Sequence, residues 1–286
     1  MLSLAANGIP ALYELLYNYD LPLEFIKCPL SPDSRGEVER ARQYLPVVLH
    51  GWGPPDYSIC SPSVPEPELL QELAEKSGTP FVSAHLDYTP ERDGDMGRGP
   101  LLERIVNNVE ELKRLTGKEV LLENVPWYAH RSRPRYTTDP EFFAEALEIA
   151  GAWLLLDLSH ATVAAWHRHE DAGDYVGRMP LERALEIHVS GPRETEAGLN
   201  DWHMPLRESD YLLLEQTLRQ TPSVKVLTLE YMIREKTTLM FREPEGPAVM
   251  LQQVMRLDEL RRRFNHRAKP APESSPGAAA PPSRLP

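Results

Sequence analysis

The chain has 286 residues, a hydrophobic fraction of 41% and two cysteines. That composition supplies one core of catalytic-domain size, no run approaches the ~20 apolar residues of a membrane span, and two cysteines are too few for a disulfide framework. A formal net charge of −12 argues against a nucleic-acid partner, because phosphate is normally met by a basic face. The first residues lack the charged start and apolar stretch of a signal peptide, so a reducing cytoplasm is the expected compartment.

In chain order, short apolar runs read as strands at Leu2–Ala6, Leu23–Lys27, Val47–His50 and Phe81–Asp87. The charged, glycine-bearing stretch Asp87–Gly99 reads as a loop placed to cover a pocket. Leu101–Leu115 then repeats Leu102, Ile105, Val106, Val109 and Leu112 on one helical face and closes at Thr116-Gly117, a C-cap. A fifth strand at Val120–Asn124 follows. Asp139-Pro140 opens a helix with a cap residue and a proline at its first position. Further strands are expected at Trp153–Leu158, Leu185–Ser190 and Val226–Tyr231, with Gly191–Asn200 as a loop leading to Asp201. After a helix at Ala248–Phe264, the stretch from about Arg267 to Pro286 turns to Ala, Pro, Ser and Gly, which cannot bury enough apolar surface to order itself. The expected organisation is one domain over 1–266 and a disordered tail over 267–286.

Eight strands alternating with helices match the (β/α)8 barrel, usually about 250 residues long, whose strand C-termini converge on the active-site face. An open doubly wound sheet is the competing architecture, and it would not gather many strand ends around one point. That convergence matters because six strands finish in metal-type side chains: His50, His85, Glu123, Asp157, His188 and Glu230. Three more candidates follow closely, His160 and the i, i+2 pair Asp201 and His203. Burying several such groups together is unfavourable unless a cation neutralises them. Imidazole and carboxylate without thiolate suit iron, zinc or manganese. His130, His167, His169 and His266 read as surface residues.

The segments His50-Gly51-Trp52-Gly53, Ser83-Ala84-His85-Leu86, Leu121-Leu122-Glu123-Asn124-Val125-Pro126, Leu155-Leu156-Asp157, Ile187-His188-Val189-Ser190-Gly191, Asp201-Trp202-His203-Met204-Pro205 and Leu229-Glu230 carry a resemblance. In order and spacing they resemble the multinuclear iron-dependent oxidases of ribosomal peptide biosynthesis, the MbnB and TglH type. That family lies within the xylose-isomerase-like superfamily of TIM barrels, and the nine-ligand arrangement is also similar to that of endonuclease IV. The latter similarity implies one metal on His50, His85 and Glu123, with Glu123 bridging to a second on Asp157, His188 and Glu230. It implies a third on His160, Asp201 and His203. Two departures stand out: His160 replaces the Asn common in the peptide oxidases, and the sequence after His50, Gly51-Trp52-Gly53-Pro54-Pro55-Asp56-Tyr57-Ser58, differs from theirs.

The resemblance implies two or three divalent metals, iron favoured over zinc or manganese, with O₂ as co-substrate of an oxidase or oxygenase acting on a peptide cysteine. It also implies a small partner protein that recognises the precursor. A sugar isomerase or epimerase, or a phosphoester hydrolase, is the alternative, with Glu123 and Glu230 as acid/base groups; a non-catalytic metal-binding barrel is a third reading. Trp52, Trp127 and Trp202 are candidates to stack on a peptide or small-molecule substrate, with packing of the barrel mouth as the competing role. Asn124 and Arg131 complete the expected substrate contacts, and Arg133 is a second basic candidate.

Overall fold

The computed structural model describes residues 1–28, 33–52, 54, 57–233 and 240–267. The expected tail lies outside them, apart from Arg267, which ends the last helix. In chain order the first half contains β1 (Ser3–Asn7), α1 (Pro10–Asn18), β2 (Phe25–Cys28), α2 (Ser34–Ala41), β3 (Val47–His50), α3 (Pro67–Ser77), β4 (Phe81–His85), α4 (Pro90–Asp93), α5 (Arg98–Thr116) and β5 (Glu119–Glu123). The second half adds α6 (Pro140–Ala150), β6 (Trp153–Asp157), α7 (Leu158–Arg168), α8 (Ala172–Gly177), β7 (Ala184–Val189), β8 (Gly191–Thr195), β9 (Gly198–Met204), α9 (Glu208–Leu218), β10 (Val226–Leu229) and α10 (Pro247–Arg267).

Eight parallel strands close a barrel in the order β1-β10-β7-β6-β5-β4-β3-β2, the (β/α)8 architecture expected from the sequence. Alternation along each strand sorts the side chains. Val82 and Ala84 on β4, and Val120 and Leu122 on β5, join the large core shared with the helices. Their neighbours Phe81 and Leu121 belong instead to a small cluster with Ala5, Val48, Leu155 and Val226, the apolar floor of the barrel interior. The α5 face behaves as its spacing predicts: Leu102, Ile105, Val109 and Leu112 are buried, and Gly117 caps the helix at φ 64°, a conformation that glycine adopts without steric cost.

Three local expectations are corrected. Gly191–Asn200 is not a loop; β8 and β9 form an antiparallel hairpin outside the barrel. Its residues are too polar to show an apolar alternation in sequence. Asp139 precedes α6, but its side chain does not cap that helix; it accepts a hydrogen bond from Arg168 instead. The strand expected at Trp153–Leu158 stops at Asp157, because α7 begins at once and the Asp157 side chain caps it, Oδ1 accepting from the His160 N–H at 2.7 Å.

Candidate metal centre

Barrel register sets the level of each donor. His85 is paired with Glu123, Asp157 with His188, and His188 with Thr228, so side chains from neighbouring strands enter the barrel at one height. Glu123 stands at the middle. Its Oε2 lies 3.1 Å from both His50 Nε2 and His85 Nε2, while its Oε1 lies 3.4 Å from His160 Nδ1 and 3.6 Å from His188 Nδ1. His188 Nδ1 is 3.2 Å from Glu230 Oε1, and Glu230 Oε2 is 3.2 Å from His203 Nε2.

Among the described residues, two donor groups have ligand atoms within 4.8 Å of one another: His50, His85 and Glu123, and Glu123, Asp157, His188 and Glu230. The trio expected for a third metal does not close in the same way. His160 Nε2 and His203 Nδ1 each approach Asp201 Oδ2, at 3.3 and 3.2 Å, but these three do not form such a group among the described residues. Asp201 is further tied by Ser159 Oγ at 3.0 Å. His203 has φ 53°, an uncommon left-handed conformation for a non-glycine residue, and its carbonyl accepts the Met232 N–H at 3.0 Å.

The donors fit cations. Glu123 and Asp157 are fully buried, and both Glu123 oxygens and Asp157 Oδ2 have no hydrogen-bond donor. A buried carboxylate left so would cost several kcal/mol, of order ~2–7 for a polar group and more for a charge; a metal ion is the partner this geometry suits. Burial works against ionisation of Glu123, but His85 and His50 hold its carboxyl well below the ordinary range. Burial depresses His50 and His85, favouring the unprotonated ring that ligation needs. Asp157 is pushed up to about 6, first by burial and then by the nearby Glu123 and Asp201 carboxylates. Burial opposes protonation of His160, yet Asp157 and Asp201 raise it to about 10.

Sequence reading missed two buried charges here. Lys27 on β2 pairs with Glu230, and it ends a predicted strand as the donors do, although an ammonium is no metal ligand. Glu186 on β7 is fully buried two positions before His188, a visible i, i+2 pair in an apolar strand.

The expected substrate contacts fare less well. Trp52 is fully buried in the core, beside Tyr57 at 5.2 Å, so its indole packs the barrel and presents no stacking surface. Asn124 spends its amide on the backbone of Asp157, accepting from N–H at 2.8 Å and donating to the carbonyl at 2.9 Å. Trp127 is half-buried and donates to the Arg133 carbonyl at 3.2 Å. Arg131 is exposed and lies over the Tyr128 ring at 4.1 Å. Trp202 is half-buried, edge-on to Phe241. His167, read as a surface residue, is buried and its Nε2 meets the Leu199 carbonyl at 2.9 Å; His130, His169 and His266 are exposed. The cavity that reaches the donors, about 220 Å³, is lined by Tyr57, His85, Asp87, Arg92, Arg133 and His160, among others. Thus Arg133, and Asp87 and Arg92 from the loop expected to cover the pocket, stand at its wall.

The profile of the RiPP precursor modification enzymes MbnB/TglH/ChrH matches residues 28–233. The chain belongs to this family. It is 27% identical over 198 residues to a UPF0276 protein of Acaryochloris marina, covering 66% of this chain and 71% of that one; for a UPF0276 protein of Caulobacter vibrioides the figures are 26%, 62% and 66%. The chain therefore spans about two thirds of the length of these relatives. Its fold is similar to that of a xylose isomerase domain protein from Alicyclobacillus acidocaldarius, with TM-score 0.62, 15% identity, and 93% and 100% of the two chains covered. Family membership together with the buried donor groups makes this family member a metal-dependent enzyme.

Proposed function

We propose that this family member is a polynuclear non-haem iron oxidase or oxygenase that modifies a peptide, at cysteine, in the biosynthesis of a ribosomal peptide natural product. The observation that carries the reading is Glu123, fully buried and shared by two donor groups, in a chain whose family profile is that of precursor-peptide modification. His50, His85 and Glu123 would hold one ion, and Glu123, Asp157, His188 and Glu230 a second. Bound iron would supply the redox chemistry and a site for O₂ and a substrate thiolate.

The chain's own residues would confine and aim that chemistry. The His85 side chain is 34% exposed, against 5% or less for His50 and His188, so a substrate entering the cavity would meet the His85 side of the centre first. Arg133 and Arg92 both hold Asp87, at 2.6 and 3.1 Å, bracing the wall of that cavity. Glu123 and Glu230 would act as ligands and as the proton-accepting groups nearest the substrate. A small partner protein would recognise the precursor, as the family resemblance implies.

The test is metal content and iron valence on protein purified without oxygen from iron-supplied cells, by elemental analysis with Mössbauer spectroscopy. Two or more irons per chain, changing valence on exposure to O₂ and a peptide thiol, are expected. Tightly held zinc with no redox response would overturn the oxidase reading in favour of a hydrolase or isomerase.

A further inference from the structure

One alternation before the donors on their own strands, the interior is polar where it could have been apolar. Ser83 sits two residues before His85, Glu186 two before His188, and Thr228 two before Glu230. All three are completely buried. Ser83 Oγ is 2.7 Å from His50 Nδ1, the ring nitrogen opposite the one that faces Glu123. Thr228 Oγ1 donates to Glu186 Oε1 at 2.5 Å, and the same Oε1 lies 3.0 Å from His188 Nε2.

His188 is thus addressed from two sides. Nδ1 faces Glu230 and Glu123 at 3.2 and 3.6 Å, and Nε2 faces Glu186. An imidazole ligates through an unprotonated nitrogen, and the other nitrogen's partner decides which one carries the proton. A carboxylate under Nε2 favours the proton there, leaving the Nδ1 lone pair for the cluster above.

We infer that Glu186, anchored by Thr228, is a positioning residue that sets the tautomer and ring orientation of His188 and so the affinity of the second ion. This rests on the two-cluster metal reading above and adds a residue to which neither the ligand set nor the family resemblance gives a role. Glu186 touches no substrate; it acts through His188.

The deciding experiment titrates metal-free wild type, Glu186→Ala, Glu186→Gln and Thr228→Val with cobalt(II), following the d–d absorption of each ion in turn. Circular dichroism and melting of each metal-free variant test folding separately. Removal of an outer partner of a ligating histidine typically weakens metal binding about 10–100-fold, and that loss is expected for the second ion in Glu186→Ala, with the first ion unaffected. Glu186→Gln, which keeps an acceptor beneath Nε2, should recover most of it, and Thr228→Val should fall between. A folded Glu186→Ala variant that binds the second ion as tightly as wild type overturns the inference while leaving the metal centre intact. Should that variant fail to fold, unchanged second-ion affinity in Thr228→Val overturns it instead. Wild-type protein that takes up no second ion defeats the two-cluster reading itself, and this inference with it.

Discussion

At the residue scale, Glu123 is the group on which the centre turns. Each of its oxygens faces two imidazoles, so one substitution reaches both donor groups. Glu123→Gln replaces one oxygen by an amide nitrogen that cannot ligate and removes the charge that favours cations. Elemental analysis of the purified variant should show loss from both positions, whereas His160→Ala should keep both ions, because His160 belongs to neither group. If the two variants lost the same single ion, the shared-carboxylate layout would be wrong. His160 also illustrates a residue whose backbone and ring have separate tasks: its N–H is capped by Asp157 Oδ1, while Asp157 Oδ2 remains directed at the centre without a donor. One carboxylate thereby starts α7 and serves the site.

At the element scale, the β8–β9 hairpin brings Asp201 and His203 to the barrel mouth. Its position depends on close backbone approach at Gly191, where a Cβ would come within 2.3 Å of the Pro205 carbonyl oxygen and 2.8 Å of that of Met204. Both are main-chain atoms next to His203 and cannot swing aside. Gly191→Ala should therefore destabilise the protein by ~1–3 kcal/mol, the usual cost of overpacking. For a domain of this size each kcal/mol corresponds to about 2–4 °C in Tm, so a scanning melt would detect it. An unshifted melting curve would mean that the hairpin yields easily and does not fix His203. The other end of the hairpin is held from below, where a Cβ at Gly198 would meet the Trp166 ring at 2.6 Å and His167 at 3.0 Å. This contact accounts for the burial of a histidine that sequence reading placed at the surface.

At the scale of the whole molecule, metal bound at the centre would be coupled to folding. Strands β3, β4, β5, β6, β7 and the end of β10 all contribute donors, so ions held there would tie together most of the barrel's circumference. Ligand that binds only the folded state adds about 2.7 kcal/mol at 100 times its Kd, which predicts a lower Tm after chelation and recovery on reloading. The effect is pH-dependent with a definite sign. Ligation needs neutral imidazole, so the stabilisation is fully present above the ordinary histidine pKa of ~6.5 and fades as pH falls below it. Chelator-insensitive melting at neutral pH would separate the ions from the fold. Among the described residues, no helix is long and apolar enough to cross a membrane.

Barrel architecture and the six residues that gather in two groups around Glu123 were legible because both are written in short-range pattern. Apolar runs of strand length recur between helical periods, and a polar, ionisable end to a buried strand is conspicuous against the hydrophobic residues before it. What the tertiary structure alone decided concerns groups whose meaning depends on neighbours distant in sequence. Lys27 becomes the partner of Glu230 only when β1, β2 and β10 close the ring; Glu186 becomes the support of His188 only when the interior side of β7 is known; and Trp52 loses its expected substrate face because the packing around it leaves no surface. Sequence determines which side chains of a strand share one face, since alternation along a strand is local. Which of them meet, and which nitrogen or oxygen each presents, follows from strand register and from the closure of the barrel, and these are set by contacts across the whole chain.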